Sequence, residues 1–170
     1  MTLRHSRADL FDRFRSLSID TKTHEHVPIM TVEDGYEVWQ GIEGVHCKNL
    51  FLKDGKKDYW LIVAPADRTI NLKAICPVIG AKRLSFARPE RLIEVLAVEP
   101  GSVTPFALIN DEGACVNVVL DQWMTEQEVL NFHPLENTAT TSISASDLVK
   151  FIKSCGHDPA IVDLVLQEQS

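Results

Sequence analysis

Two runs rich in β-forming residues, "HCKNLFLK" at 46–53 and "DYWLIVA" at 58–64, flank the dipeptide Asp54-Gly55. Asp-Gly between two such runs is a strong local signal for an antiparallel hairpin, because both residues tolerate the backbone angles that reverse a strand. A hairpin in the middle of the chain limits what can surround it. Helical and extended patterns alternate on both sides without the β-α-β-α rhythm of an all-parallel sheet. The expected fold class is therefore α/β, with a central mixed, largely antiparallel sheet among helices.

The helical segments carry their own punctuation. Leu10, Phe11, Phe14 and Leu17 recur at helical spacing behind Ser6, with Asp9 placed to complete a capping box. Thr31 can cap a second helix through about Trp39, and the polar "DTKTHEHVPIM" before it reads as a loop. Asn71 to about Val78 predicts a short helix that Pro77 should curtail, and Leu84 to Phe86 a short strand. Pro89 suits the first turn of a helix whose Leu92, Ile93 and Leu96 share a face. "EPGSVTPFALIN" reads as a turn and "CVNVVLD" as a strand. Residues 129–144 predict two extended segments about a turn at His133 to Asn137. Ser144 or Ser146 then caps a last helix that Gly156 ends.

With 170 residues, 45% of them hydrophobic and 24% charged, the chain fits one domain over 1–170. No run is long enough to span a membrane and the first residues lack the apolar core of a signal peptide, so a cytoplasmic protein is expected. Cys47, Cys76, Cys115 and Cys155 are too scattered for a disulfide framework or a zinc ribbon and read as reduced thiols. A net charge of −7 argues against a nucleic-acid partner, yet residues 46–91 hold ten of the 17 Lys and Arg and four of the 24 Asp and Glu. A basic middle in an acidic chain can steer a polyanion toward one face. Charges scattered in three dimensions fit the same count.

Several chemistries lack their residues. "GSVTP" is no nucleophile elbow, because its glycine directly precedes the serine. No phosphate-binding loop or dinucleotide fingerprint occurs. His24 and His26 form an H-x-H without a third ligand at a telling spacing. Trp39, Trp60 and Trp123 could stack on bases, although large aromatics in a chain this size more often serve the core. Three features remain: Lys48-Asn49 at a strand start, the turn from Gly101 to Pro105, and His133-Pro134. Each alone has an ordinary structural reading, as a solvated lysine, a turn and a structural histidine.

Taken in order, "THEHVPIMTVEDG", "HCKNLFLKD" with "YWLIVAPADRTINLK", "KRLSFARPERL", "GSVTPFALIN" and "FHPLENTATTSIS" resemble the YbaK/prolyl-tRNA-synthetase-associated domain family of aminoacyl-tRNA editing deacylases. The resemblance spans about residues 8–160 and is greatest to the freestanding prolyl-tRNA-editing branch, which removes alanine mischarged onto tRNA(Pro). It implies a partly closed mixed sheet with helices around it, no metal and no organic cofactor. It implies tRNA(Pro) as partner, prolyl-tRNA synthetase as a candidate partner, and neither membrane nor DNA. The family's functional lysine falls on Lys48, its substrate loop on Gly101, Ser102, Val103, Thr104 and Pro105, and its pocket histidine on His133. Asn49 accompanies the lysine as a contact for the terminal adenosine. Met30, or its neighbour Ile29, falls in the region that lines the side-chain pocket. Under this reading Lys53, Lys56, Lys57, Arg83 and Arg88 become candidate contacts to tRNA phosphates. A Cys-tRNA(Pro) deacylase of the same family and a non-catalytic tRNA-binding module are the alternatives.

Overall fold

The computed structural model describes residues 4–29 and 31–164. Ser6 and Asp9 form the expected capping box, each side chain accepting the other's backbone N–H, and helix α1 runs Arg7–Ser16 with Leu10 and Phe14 buried. The polar stretch that follows is not all loop. Thr21–Glu25 is strand β1. Helix α2, Val32–Trp39, starts where Thr31 accepts the Asp34 N–H. Strands β2 (Val45–Lys53) and β3 (Tyr59–Pro65) make the antiparallel hairpin.

Asp54-Gly55 shapes this hairpin by a different route from the expected turn. The residue in the left-handed region is Lys57, at φ 69°. The Asp54 carboxylate gathers three donors: the backbone N–H groups of Lys56 (2.9 Å) and Asp58 (3.0 Å) and the Trp60 indole N–H (2.9 Å). Burial works to raise its pKa, but these donors hold it below the usual carboxylate value. Gly55 serves close approach. Its N–H donates to the Lys82 carbonyl, and a Cβ there would meet that oxygen at 2.9 Å. Asp54→Ala should therefore cost about 2–3 kcal/mol in urea unfolding, since it leaves the buried indole N–H without an acceptor.

Helix α3 (Leu72–Ile79), capped by Asn71, continues through Pro77 and ends at Gly80 in the left-handed conformation. Strand β4 (Ser85–Phe86) pairs with β2, and helix α4 (Pro89–Leu96) starts at its proline as expected. Pro105–Asn110, read as part of a turn, is instead a fully buried 3-10 helix. Strand β5 (Val116–Asp121), the short helix α5 (Gln122–Thr125), strands β6 (Val129–Phe132) and β7 (Ala139–Ser144), helix α6 (Ala145–Ser154) and strand β8 (Ala160–Val162) complete the described chain. Ser144 is the cap of α6, and Gly156 follows its end at φ 91°.

The strands form one mixed sheet in the order β1-β7-β6-β2-β3-β5-β8, with β4 beside β2. Pairings β2/β6, β3/β5 and β5/β8 are parallel, and the other four are antiparallel. Alternation along β3 sorts two cores. Leu61 and Val63 face a large cluster under α1, α4, α6 and the 3-10 helix, while Trp60, Ile62 and Ala64 face a smaller one with Ile75 and Leu164. Because both faces are covered, β3 is apolar almost throughout. Among the described residues no helix is long and apolar enough to cross a membrane.

Candidate functional site

The parallel seam between β2 and β6 is short: only Val45↔Leu130 and His46↔Asn131 pair before the strands part. Gly44, at φ 102°, allows this junction, since a Cβ would meet the Asn131 amide nitrogen and Val129 at 2.8 Å. Asn131 locks the seam by donating to Glu43 O (2.9 Å) and Val45 O (3.3 Å) while accepting from the Ser142 hydroxyl at 2.5 Å. Beyond the seam the diverging strands leave a notch bordered by His46, Cys47 and Asn49 from β2 and by Phe132, His133 and Thr140 opposite. Its volume of about 10 Å³ is near the space one water needs.

The polar groups there have defined roles. His133 Nδ1 lies 2.9 Å from the Ala139 carbonyl, which can only accept, so the proton sits on Nδ1 and Nε2 carries the lone pair. Burial lowers the His133 pKa below the ordinary value, the Ala139 bond opposes this, and nearby His26 adds to the lowering. The ring is therefore neutral at pH 7 and presents an acceptor. Asn49 Oδ1 is buried and meets no donor among the described residues, so the amide stands in the notch with an open hydrogen-bonding capacity.

Trp39 and His46 also border a larger groove of about 370 Å³, reached by Tyr36, Pro65, Ala66 and Trp123. The indole of Trp39 stacks on His46 at 4.6 Å and 13°, and His46 Nε2 donates to Ile42 O at 3.1 Å. Gly35 makes room for this indole within the same helix; a Cβ there would come within 2.5 Å of it. Across the groove, Arg68 lies over the Trp123 ring at 4.8 Å from its centroid. The three tryptophans thus divide. Trp60 belongs to the core, Trp39 is half-buried in the groove wall, and Trp123 is 39% exposed.

Of the residues singled out in the sequence, Asn49 and His133 meet at the notch. Lys48 pairs with Ala64 and, by strand alternation, shares the β2 face of His46, opposite Asn49. Among the described residues, Lys48 and the Gly101–Pro105 loop border neither the notch nor the groove. In that loop Ser102 is buried with its N–H on Glu99 O (2.9 Å), and Thr104 caps the buried 3-10 helix that Pro105 begins. Ile29 is buried and bonded to Asn137 O, while Met30 lies outside the described residues. His26 bonds Val27 O and the Thr140 hydroxyl through its ring, each at 2.7 Å. Lys53, Lys56, Lys57, Arg83 and Arg88 are all exposed, and the Gly55–Lys82 bond brings the hairpin tip and residues 82–88 into one basic corner. The sequence reading missed His46 and Tyr36; a glycine inside α2 four residues before Trp39 was the available signal that this ring lies flat on its own helix.

The family model described as the aminoacyl-tRNA editing domain matches residues 26–151. The chain is 41% identical over 162 residues to the prolyl-tRNA synthetase associated domain-containing protein 1 of Bos taurus, covering 92% of this chain and 94% of the relative. It is 38% identical over 151 residues to the prolyl-tRNA editing protein ProX of Acetoanaerobium sticklandii, covering 87% and 91%. A solved structure described as a candidate trans-editing enzyme for prolyl tRNA synthetase shares the fold, with a TM-score of 0.73 at 16% identity over 96% of this chain and 99% of that one.

Proposed function

The chain belongs to the aminoacyl-tRNA editing domain family, and we propose that it is a trans-editing deacylase that hydrolyses the ester of alanine mischarged onto tRNA(Pro). The observation that carries this reading is the pairing of a one-water notch, bordered by Asn49 and a neutral His133, with an aromatic groove across the Trp39–His46 stack. The notch suits the attacking water, with the small aminoacyl end at its mouth. The groove suits the terminal adenosine.

A synthetase pocket shaped for proline cannot exclude the smaller alanine by size, since each missing methylene changes binding by only about 1–3 kcal/mol. A second site that admits alanine and rejects proline restores the discrimination. Water attacks the ester carbonyl, the bond to the ribose oxygen breaks, and alanine and free tRNA leave. His133 Nε2 accepts a hydrogen bond from that water and orients it. The substrate's own free ribose hydroxyl relays a proton, taking one from the attacking water as it gives its own to the departing ribose oxygen, so the protein needs no separate base. The family resemblance would make the Gly101 and Val103 N–H groups the oxyanion donors, Ser102 N–H being held by Glu99, and this requires the ester carbonyl to lie beyond the notch, against that loop. Lys48, on the His46 face of β2, holds the charge of the terminal nucleotide as an ammonium. Lys53, Lys56, Lys57, Arg83 and Arg88 engage phosphates of the tRNA acceptor end, and Met30 with Ile29 walls the side-chain pocket.

The test is a deacylation panel on tRNA(Pro) carrying alanine, cysteine or proline. Fast release of alanine with proline left in place is the expected result. Preferential release of cysteine would select the cysteine deacylase, and tight tRNA binding without any hydrolysis would select a binding module.

A further inference from the structure

At the far end of β2 from the notch, Lys53, Arg88 and Arg91 surround Phe86 at a depression of about 390 Å³. Phe86 sits on the two-residue edge strand β4, opposite Leu52, and is 66% exposed. A large apolar ring left in water among three cations has no folding rationale in this sheet. Arg91 is bonded to Glu94 at 2.6 Å, whereas Lys53 and Arg88 have no carboxylate partner among the described residues. Exposed aromatic surface beside unneutralised cations fits a strand of unpaired nucleotides, whose bases stack and whose phosphates need countercharge.

We propose that this corner binds the single-stranded 3′ segment of tRNA, with a base stacked on Phe86 and the adjoining phosphates on Lys53 and Arg88. The inference rests on the editing function proposed above, and β2 supplies its ruler. Asn49 and Lys53 are four residues apart, about 13 Å along a strand. At ~3.4 Å per stacked nucleotide that separation matches about four nucleotides. A strand whose last residue lies at the notch therefore brings unpaired bases, rather than the duplex, to Phe86. Phosphate contacts at this corner would fix the strand's register without reading its sequence.

The experiment measures equilibrium binding of deacylated tRNA and of the same acceptor duplex trimmed blunt, using wild type, Phe86→Ala, Phe86→Trp and Arg88→Ala. Phe86→Ala should weaken binding of the intact 3′ end about tenfold, Phe86→Trp should restore it, and the blunt duplex should not distinguish the three. Arg88→Ala should lower the slope of log affinity against log salt by about one. Equal losses on intact and blunt RNA, or unchanged affinity in Phe86→Ala, would overturn the assignment. So would a variant that keeps RNA affinity but no longer co-sediments with prolyl-tRNA synthetase, which would make Phe86 a protein contact. Because deacylated RNA is used, these outcomes do not depend on turnover. A wild-type protein that binds through Phe86 yet hydrolyses no ester would defeat the editing proposal and leave this site standing.

Discussion

Replacing His133 with alanine should lower kcat for alanyl-tRNA hydrolysis by about a hundredfold, the lower end of what a positioned acid–base group contributes. The effect should fall on kcat more than on KM, because the ring's proposed partner is the attacking water. The Ala139 carbonyl fixes the tautomer, so the acceptor exists only while the ring is neutral. Burial holds the pKa below its ordinary value of 6.5. Wild-type turnover should therefore stay flat as pH falls to about 6.5 and decline only at lower pH, where the imidazolium forms and Nε2 stops accepting. His133→Gln tests position separately from titration, since its amide can donate to Ala139 and still accept from water. That variant should keep part of the rate and lose the acidic decline. An acid limb unchanged in His133→Gln would assign the titration to another group, and full activity in His133→Ala would remove His133 from the reaction.

What could be read in advance follows from where the determining interactions lie along the chain. The caps at Ser6, Thr31 and Ser144 were legible because donor and acceptor are three residues apart. The hairpin was legible from its two apolar runs. Strand β1 was not, because an edge strand with only β7 as neighbour keeps polar residues on both faces, and its Thr23–Thr141 hydroxyl contact spans more than a hundred residues. The 3-10 helix was hidden by Pro100 and by Pro105 at its start, which read as a turn although six consecutive residues from Pro105 are buried. The candidate site divides in the same way. His133 and Asn49 lie in motifs that the family resemblance marks, whereas the Trp39–His46 stack arises from tertiary packing between α2 and β2.

The short β2/β6 seam explains how the fold leaves a small polar notch between two strands of its own sheet. Two parallel strands that remained paired would bury Asn49 and His133 in a continuous ladder. By ending the pairing after His46 and Asn131, the sheet exposes polar groups from its own interior while Asn131 keeps the opening fixed. Such a compartment is set by backbone register, so it should be rigid and small. In the proposed editing reaction, discrimination by size would then draw on the sheet's register at this opening.

The largest expected loss of stability lies away from this opening, at Asp111. Its carboxylate accepts from the Val116 N–H (2.9 Å), the Cys115 N–H (3.2 Å), the Cys115 thiol (3.1 Å) and buried His157 Nε2 (2.8 Å). It thereby ties the end of the 3-10 helix to the start of β5 and to the segment after α6. Asp111→Ala strands a buried imidazole and two backbone donors at once, and should cost about 3–5 kcal/mol. In a chain of this size that corresponds to a fall in Tm of about 10 °C. Asp111→Asn should lose nearly as much, because the amide nitrogen must face one of the N–H donors. Burial works to raise the Asp111 pKa, but its donors, His157 foremost, bring it down to about 2. A depressed carboxylate stabilises the fold above its unfolded value of about 4 and ceases to do so as pH falls toward 2. The wild-type protein should lose stability across that window, and Asp111→Asn should flatten the loss. Parallel urea titrations of both proteins from pH 5 to pH 2 would read the difference directly, and parallel curves would mean that the acid limb belongs to other carboxylates.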